Sequence, residues 1–253
     1  MPDLAYYLIA GLFLPLFPLS MAFNALFERM PNTTLRTIVL LAWPQIGLVL
    51  IGASNAPVPP WVTDVAIATS VLYAFRAIAL RDVNQWIGFL ATSLWSLLWL
   101  FHADEMPFPL THLHALGMSV PLVLLACLSA GLTRRFGAAY TYLYGGLAQA
   151  TPRLAGVLVV AVLAIIATPL FPAFFTMTTL IADTVESSPV LASLMLLVWL
   201  LWSWAGARLL QGLIVGPAKE DKVADLSPVA TWAHVAVLIV LVGGGIYAMG
   251  AHL

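Results

Sequence analysis

Long apolar runs alternate with short polar ones along this chain, and the pattern reads as a series of membrane-length helices. Runs of roughly 20 residues with almost no charge lie at about 4–27, 35–53, 62–80, 84–101, 110–132, 154–180, 189–214 and 231–251. Each is long enough for an α-helix to cross a hydrocarbon layer of about 30 Å. The first run leads directly into the second, without a basic leader or a small-residue cleavage site, so it is expected to be a retained helix rather than a signal peptide. Composition agrees: 62% hydrophobic and 8% charged residues over 253 positions, with a mean hydropathy of +1.00, lie outside the range of water-soluble domains. The expected fold class is all-α, a polytopic membrane helix bundle of about eight transmembrane helices in one domain covering 1–253.

Charge sorts the connections into two sets. Arg29 and Arg36 lie between spans one and two, Arg76 and Arg81 between three and four, Arg134, Arg135 and Arg153 between five and six, and Arg208, Lys219 and Lys222 around the connection from seven to eight. The other side carries Asp3, Asp64, Asp104, Glu105, Asp183 and Glu186 and no Lys or Arg. The positive-inside rule then places the basic connections in the cytoplasm and both termini outside, which requires an even number of spans. On the outer side, Asn55 to Pro60 reads as a proline-rich turn with Trp61 as an interfacial anchor; on the basic side, Pro217 to Asp225 reads as a solvated mixed-charge loop. A formal net charge of -1 argues against nucleic acid as a partner, and the single cysteine, Cys127, can form no intrachain disulfide.

Chemistry concentrates in spans five and six. Span six contains Ala167-Thr168-Pro169-Leu170-Phe171-Pro172-Ala173-Phe174-Phe175 near its middle. Each proline removes a backbone N–H and frees a carbonyl one turn earlier, so a broken helix is expected there, with its polar groups satisfied inside protein or beside a wet cavity. Discontinuous helices of this kind hold ion and substrate sites in transporters; the alternative is a kink that only shapes packing. Span five carries Thr111, His112 and His114 in its first turns. A histidine there can relay protons, bind metal or ligate haem. His112 and His114 are two apart and face different sides of a helix, which suits no metal site. A bis-histidine haem needs a second histidine at the same depth, and only His102 and His252 lie near the outer side. Arg76, about a turn from the inner end of span three, is placed to snorkel, and Arg81-Asp82 reads as a solvated helix start. Trp43-Pro44-Gln45 reads as packing, and Gly212-Leu-Ile-Val-Gly216 as a close helix contact. No cluster of nucleophile, base and oxyanion donors is visible, so catalysis by this chain alone is not expected, nor is a metal or cofactor.

Several motifs in order resemble the antiporter-like subunits of respiratory complex I, Mrp-type cation antiporters and membrane-bound hydrogenases. They are Arg81-Asp-Val-Asn-Gln-Trp-Ile-Gly-Phe-Leu-Ala-Thr-Ser93, His112-Leu-His114-Ala-Leu-Gly-Met118, Tyr144-Gly-Gly-Leu-Ala148 with Thr151-Pro-Arg-Leu154, Ala167 to Thr176, and Gly212 to Pro217. The resemblance covers about 62–253 as that family's second six-helix repeat, with 1–55 as its first two helices and the first repeat missing. It implies a proton- or cation-conducting scaffold with lysines and histidines at the membrane centre. Here the lysine positions hold Asn84, Met118 and Met177, and the acidic position after the broken-helix lysine holds Thr178, while His114 keeps the motif's histidine. The implied role is a shortened, non-catalytic membrane subunit of a multisubunit ion-gradient-linked complex in the bacterial inner membrane. Its partners would be a larger antiporter-like subunit, a soluble cytoplasmic catalytic subunit, or both, in a dehydrogenase, hydrogenase or inorganic-carbon uptake system. Candidate residues for a residual path are His114, His112, Thr176, Thr178, Pro169, Pro172, Arg76 and Arg208. The alternatives are a stand-alone transporter using the broken helix, and a haem-binding membrane anchor.

Overall fold

The computed structural model describes residues 2–53, 58–103, 108–217 and 223–252; the outer turn at 54–57, Asp104 and Glu105, and the mixed-charge stretch 218–222 lie outside the described residues. The described residues form twelve helices and no strand: α1 (Pro2–Phe13), α2 (Ser20–Arg29), α3 (Thr33–Gly52), α4 (Pro60–Ala77), α5 (Val83–Ser96), α6 (Leu98–Ala103), α7 (Phe108–Phe136), α8 (Leu147–Ala150), α9 (Pro152–Ile165), α10 (Pro172–Val185), α11 (Pro189–Ile214) and α12 (Pro228–His252). Four stretches, Thr33–Gly52, Pro109–Phe136, Pro189–Ile214 and Pro228–Tyr247, are each long and apolar enough to cross a membrane unaided. α4 occupies the third apolar run, and the remaining runs are helix pairs: α1 with α2, α5 with α6, and α9 with α10. The chain is an all-α membrane helix bundle.

Two of the three interruptions fall at proline pairs. Pro15 and Pro18 lie between α1 and α2, and Pro169 precedes the start of α10 at Pro172. Proline is tolerated at the first helical position, where its missing N–H costs nothing, and α4, α9, α10 and α11 all begin this way. The third interruption, at Leu97, has no proline or glycine. There the ladder tightens, with Leu97 N–H donating to Leu94 O at 3.3 Å and Leu100 N–H to Leu97 O at 3.0 Å.

α5 is the hub. It packs against α2, α4 and α7, and every residue from Leu90 to Phe101, across the interruption, is buried. A helix that is buried all round belongs at the centre of a bundle. α12 lies at the opposite extreme, with Trp232, Ile239, Val240 and Tyr247 all 65–70% or more exposed on an apolar outer face, as suits contact with lipid tails.

Hydrogen bonds gather the basic connections at one end. Asp82 caps α5, its carboxylate accepting from Asn84 N–H at 2.7 Å and Gln85 N–H at 3.3 Å. Gln85 donates to Glu28 at the end of α2 at 2.7 Å. The polar connection after α7 is laced to this end: Val83 N–H donates to Ala139 O, Thr141 N–H to Arg81 O and Tyr142 N–H to Gly212 O. Arg135 Nε donates to Ala224 O at 2.7 Å. The Asp225 carboxylate receives Arg153 N–H at 2.9 Å and Leu154 N–H at 3.1 Å, closing the start of α9. Burial alone would raise the Asp225 carboxyl, but the N–H groups of Arg153, Leu226 and Leu154 and the Arg153 charge outweigh it and hold it below the usual carboxylate range. With α2 ending and α12 beginning at this basic end, the outer ends of α1 and α12 both lie at the other.

Candidate functional site

The site is built where α7 runs antiparallel to α10. Gly117 on α7 lets the two backbones close: a Cβ placed there would sit 2.5 Å from Pro172 Cβ, the first residue of α10. One turn away in opposite directions along the two helices, His114 meets Thr176. His114 Nδ1 and Thr176 Oγ1 are 2.8 Å apart, and both residues are buried. The Thr176 hydroxyl also lies 3.0 Å from Pro172 O. A hydroxyl has one proton, so when it donates to Pro172 O it accepts from His114 Nδ1–H, which fixes that nitrogen as the protonated one. The Phe101 ring of α6 stacks on the imidazole at 4.7 Å with 17° between planes. His114 also lines an apolar groove of about 300 Å³ between α7, α10 and α12.

The helix break behind this pair is real. Between α9 and α10, residues 166–171 leave helical geometry, with Ala167 and Leu170 at φ 58° and 84°. Several of its polar groups are met by protein. Trp199 of α11 donates its indole N–H to Ala167 O at 3.1 Å, and Leu163 O receives both the amide of Thr168 at 3.2 Å and its hydroxyl at 2.9 Å. Pro169 is exposed at the break, whereas Pro172 is buried and belongs to α10 rather than to the unwound stretch.

The remaining candidates are dispersed. His112 faces away from His114, toward α3, where its Nδ1 contacts Gln45 Oε1 while Gln45 Nε2 donates to His112 O at 3.4 Å; the two histidines diverge as their spacing requires. Thr178 sits about 200° round α10 from Thr176, and its hydroxyl returns to Phe174 O and Phe175 O of its own helix. Arg76 is exposed and lies over Phe89 at 5.1 Å, a snorkelling geometry. Arg208 is exposed on α11. The side chains of His102 and His252, on which a bis-histidine haem would depend, lie outside the described residues.

At the positions where the resemblance implies lysine, Met118 and Met177 are fully enclosed in the apolar core. Asn84 accepts the Ser129 hydroxyl at 3.0 Å. Among the described residues, no Asp, Glu, Lys or Arg is buried.

Sequence reasoning missed a belt of neutral hydrogen bonds around α5. Asn24 donates to Thr92 at 2.8 Å, Ser70 and Ser93 pair at 3.0 Å, Trp202 donates to Ser93 at 2.8 Å and Trp95 to Ser119 at 3.1 Å. Ser20 donates to the Tyr73 hydroxyl at 3.0 Å. The signal was Thr92-Ser93-Leu-Trp-Ser96, three hydroxyls in a run otherwise read as apolar. Gln45, read as packing, is the partner of His112.

No family model matches the chain. Over 205 residues it is 24% identical to an uncharacterized protein of Aquifex aeolicus, covering 80% of this chain and 82% of that one. Its backbone is similar to that of a chain in respiratory complex I from Thermus thermophilus with bound NADH, with a TM-score of 0.83 at 20% identity, over 96% of this chain and 54% of that one. A chain of the Mrp complex from Dietzia sp. DQ12-45-1b gives 0.76 at 13% identity, over 95% and 55%. A chain of the membrane-bound sulfane sulfur reductase, an archaeal respiratory membrane complex, gives 0.77 at 15%, over 95% and 51%. The chain therefore spans about half the length of these structural neighbours. The fold is that of membrane subunits of complex I-like and Mrp-type assemblies, in agreement with the resemblance carried by the sequence motifs.

Proposed function

Because the chain has the fold of these membrane subunits over about half their length, we propose that it is a shortened antiporter-like subunit of a multisubunit, ion-gradient-linked complex in the bacterial inner membrane. Its role is docking and structural, with at most a residual proton path. The observation that carries this reading is the replacement of titratable groups by Met118 and Met177 in a closed apolar core. A charge-conducting interior needs groups that exchange protons near neutral pH, and the Thr176 hydroxyl that His114 meets on α10 is not one of them. The basic end is the cytoplasmic one, where the lacework of 139–142, 153 and 225 offers an ordered surface to a soluble partner.

A second reading, a stand-alone transporter, draws on the helix break and its unwound residues beside His114. Gentle purification from the native membrane under an affinity tag, with identification of what accompanies the chain, separates the two. A stoichiometric larger antiporter-like subunit, or a soluble catalytic one, supports the accessory role, and the identity of the soluble protein distinguishes a dehydrogenase, a hydrogenase and an inorganic-carbon system. A lone protein that carries gradient-driven flux in liposomes, lost in Thr176→Val, overturns the accessory role. A Soret band in the purified protein would restore the haem-anchor alternative.

A further inference from the structure

At the basic end, a polar cavity of about 470 Å³ opens between α3, α5 and α7. Two arginines line it, Arg36 from the first turn of α3 and Arg134 from the last turn of α7, with Thr33, Thr133, Asn84 and Cys127 between them. Arg36 Nε is buried and has no hydrogen-bond partner; its guanidinium lies over the Phe27 ring at 5.6 Å. Asp82 is within electrostatic reach of Arg36, but its carboxylate already caps α5 through Asn84 N–H and Gln85 N–H. Among the described residues, neither guanidinium pairs with a carboxylate at salt-bridge distance. Asn84 spends its carbonyl on Ser129, which leaves its amide hydrogens as donors. The Thr133 hydroxyl gives its one proton to Ser129 O at 3.1 Å, so the cavity offers two cations, a carboxamide and the Thr33 hydroxyl, a donor set that matches the tetrahedral oxygens of a phosphate group.

We propose that this cavity binds the phosphate of an anionic phospholipid. α3 and α7 are both long and apolar enough to cross a membrane, so a cavity at the first turn of one and the last turn of the other falls at headgroup depth, on the basic side where pockets between helices meet acidic lipid. The lipid sits in a furrow made by three helices that are far apart in sequence, and holds them at one end.

The test compares thermal stability of the purified chain in nanodiscs of phosphatidylcholine alone and with added phosphatidylglycerol, together with native mass spectrometry of retained lipid. The expected result is stabilisation by phosphatidylglycerol and retention of about one such lipid, with apparent affinity reduced at least tenfold in Arg36→Gln/Arg134→Gln and partly recovered in Arg36→Lys/Arg134→Lys. Arg29→Gln, a basic residue outside the cavity, keeps the full response and controls for general loss of charge. Equal stabilisation by both lipids, or an unchanged phosphatidylglycerol response in the folded double variant, overturns the proposal. Inorganic phosphate added at millimolar concentration to lipid-stripped protein separates the sources: if it stabilises as well as the lipid does, the site belongs to soluble phosphate and the lipid assignment fails.

Discussion

Gly117→Ala tests the α7–α10 seat on which the His114–Thr176 pair depends. The added methyl would stand 2.5 Å from Pro172 Cβ, whereas carbon atoms in good contact sit about 3.5–4.0 Å apart, so the two helices must part by about 1 Å. Neither side yields easily. Pro172 is a rigid ring at a helix start, and Gly117 lies in the middle of the longest helix. Overpacking of this kind costs about 1–3 kcal/mol. At about 2–4 °C per kcal/mol for a chain of this size, the apparent melting temperature falls by roughly 2–12 °C. Fluorescence-detected size exclusion after heating reads the shift in detergent. Gly156→Ala is the matched control, because nothing lies within 4 Å of the methyl it would gain and the helix gains about 0.5–1 kcal/mol from the change. Pro172→Gly in the Gly117→Ala background removes the colliding Cβ, so the double variant should recover stability relative to the sum of the singles. A Gly117→Ala protein as stable as the parent, or a double variant with additive losses, refutes the packing argument.

Thr176→Val keeps the shape of the threonine but leaves the buried His114 Nδ1 facing a methyl in place of its 2.8 Å partner; the expected loss is about 1–3 kcal/mol, read as a lower melting temperature. Trp199→Phe takes the indole N–H from Ala167 O at the helix break and should cost about 1–3 kcal/mol, with faster hydrogen exchange confined to 166–171. Asp225→Asn tests the clasp at the basic end. Because the folded-state value of Asp225 is depressed, its contribution is complete above the unfolded value of about 3.9 and is lost as pH falls through the folded value. The variant should therefore be less stable than the parent at pH 7, and the gap should close in strongly acidic buffer; a gap that stays constant down to that pH would show that the carboxylate charge is not what holds the N–H groups of Arg153 and Leu154.

Much of this architecture was written in local chemistry. The proline pair Pro169/Pro172 announced the interruption between α9 and α10 because the missing N–H and the ring act on their own turn of helix. The divergence of His112 and His114, and Asp82 as a helix cap, follow from geometry within a few residues. The interruption at Leu97 had no such marker, since neither proline nor glycine stands there and only the hydrogen bonds tighten. The hydroxyl belt was hidden for a related reason: serine and threonine can bond to carbonyls of their own helix, so Thr92 and Ser96 fit an apolar run without disturbing it. Which hydroxyl meets which neighbour depends on helices 20 to more than 100 residues away, as in Trp202 with Ser93. The direct contact of His114 with Thr176 was likewise out of reach, although both residues stand among the candidates for one residual path.

The belt around α5 has a consequence for biogenesis. The hydroxyls of Thr92, Ser93 and Ser96 are all paired with groups of this same chain, so inserting the bundle leaves none of them waiting for another protein to supply a donor or acceptor in lipid. Quality control in the membrane, which recognises exposed polar surface, would find these three hydroxyls already met. On the subunit role proposed above, cells lacking the partner subunits should still accumulate the chain intact.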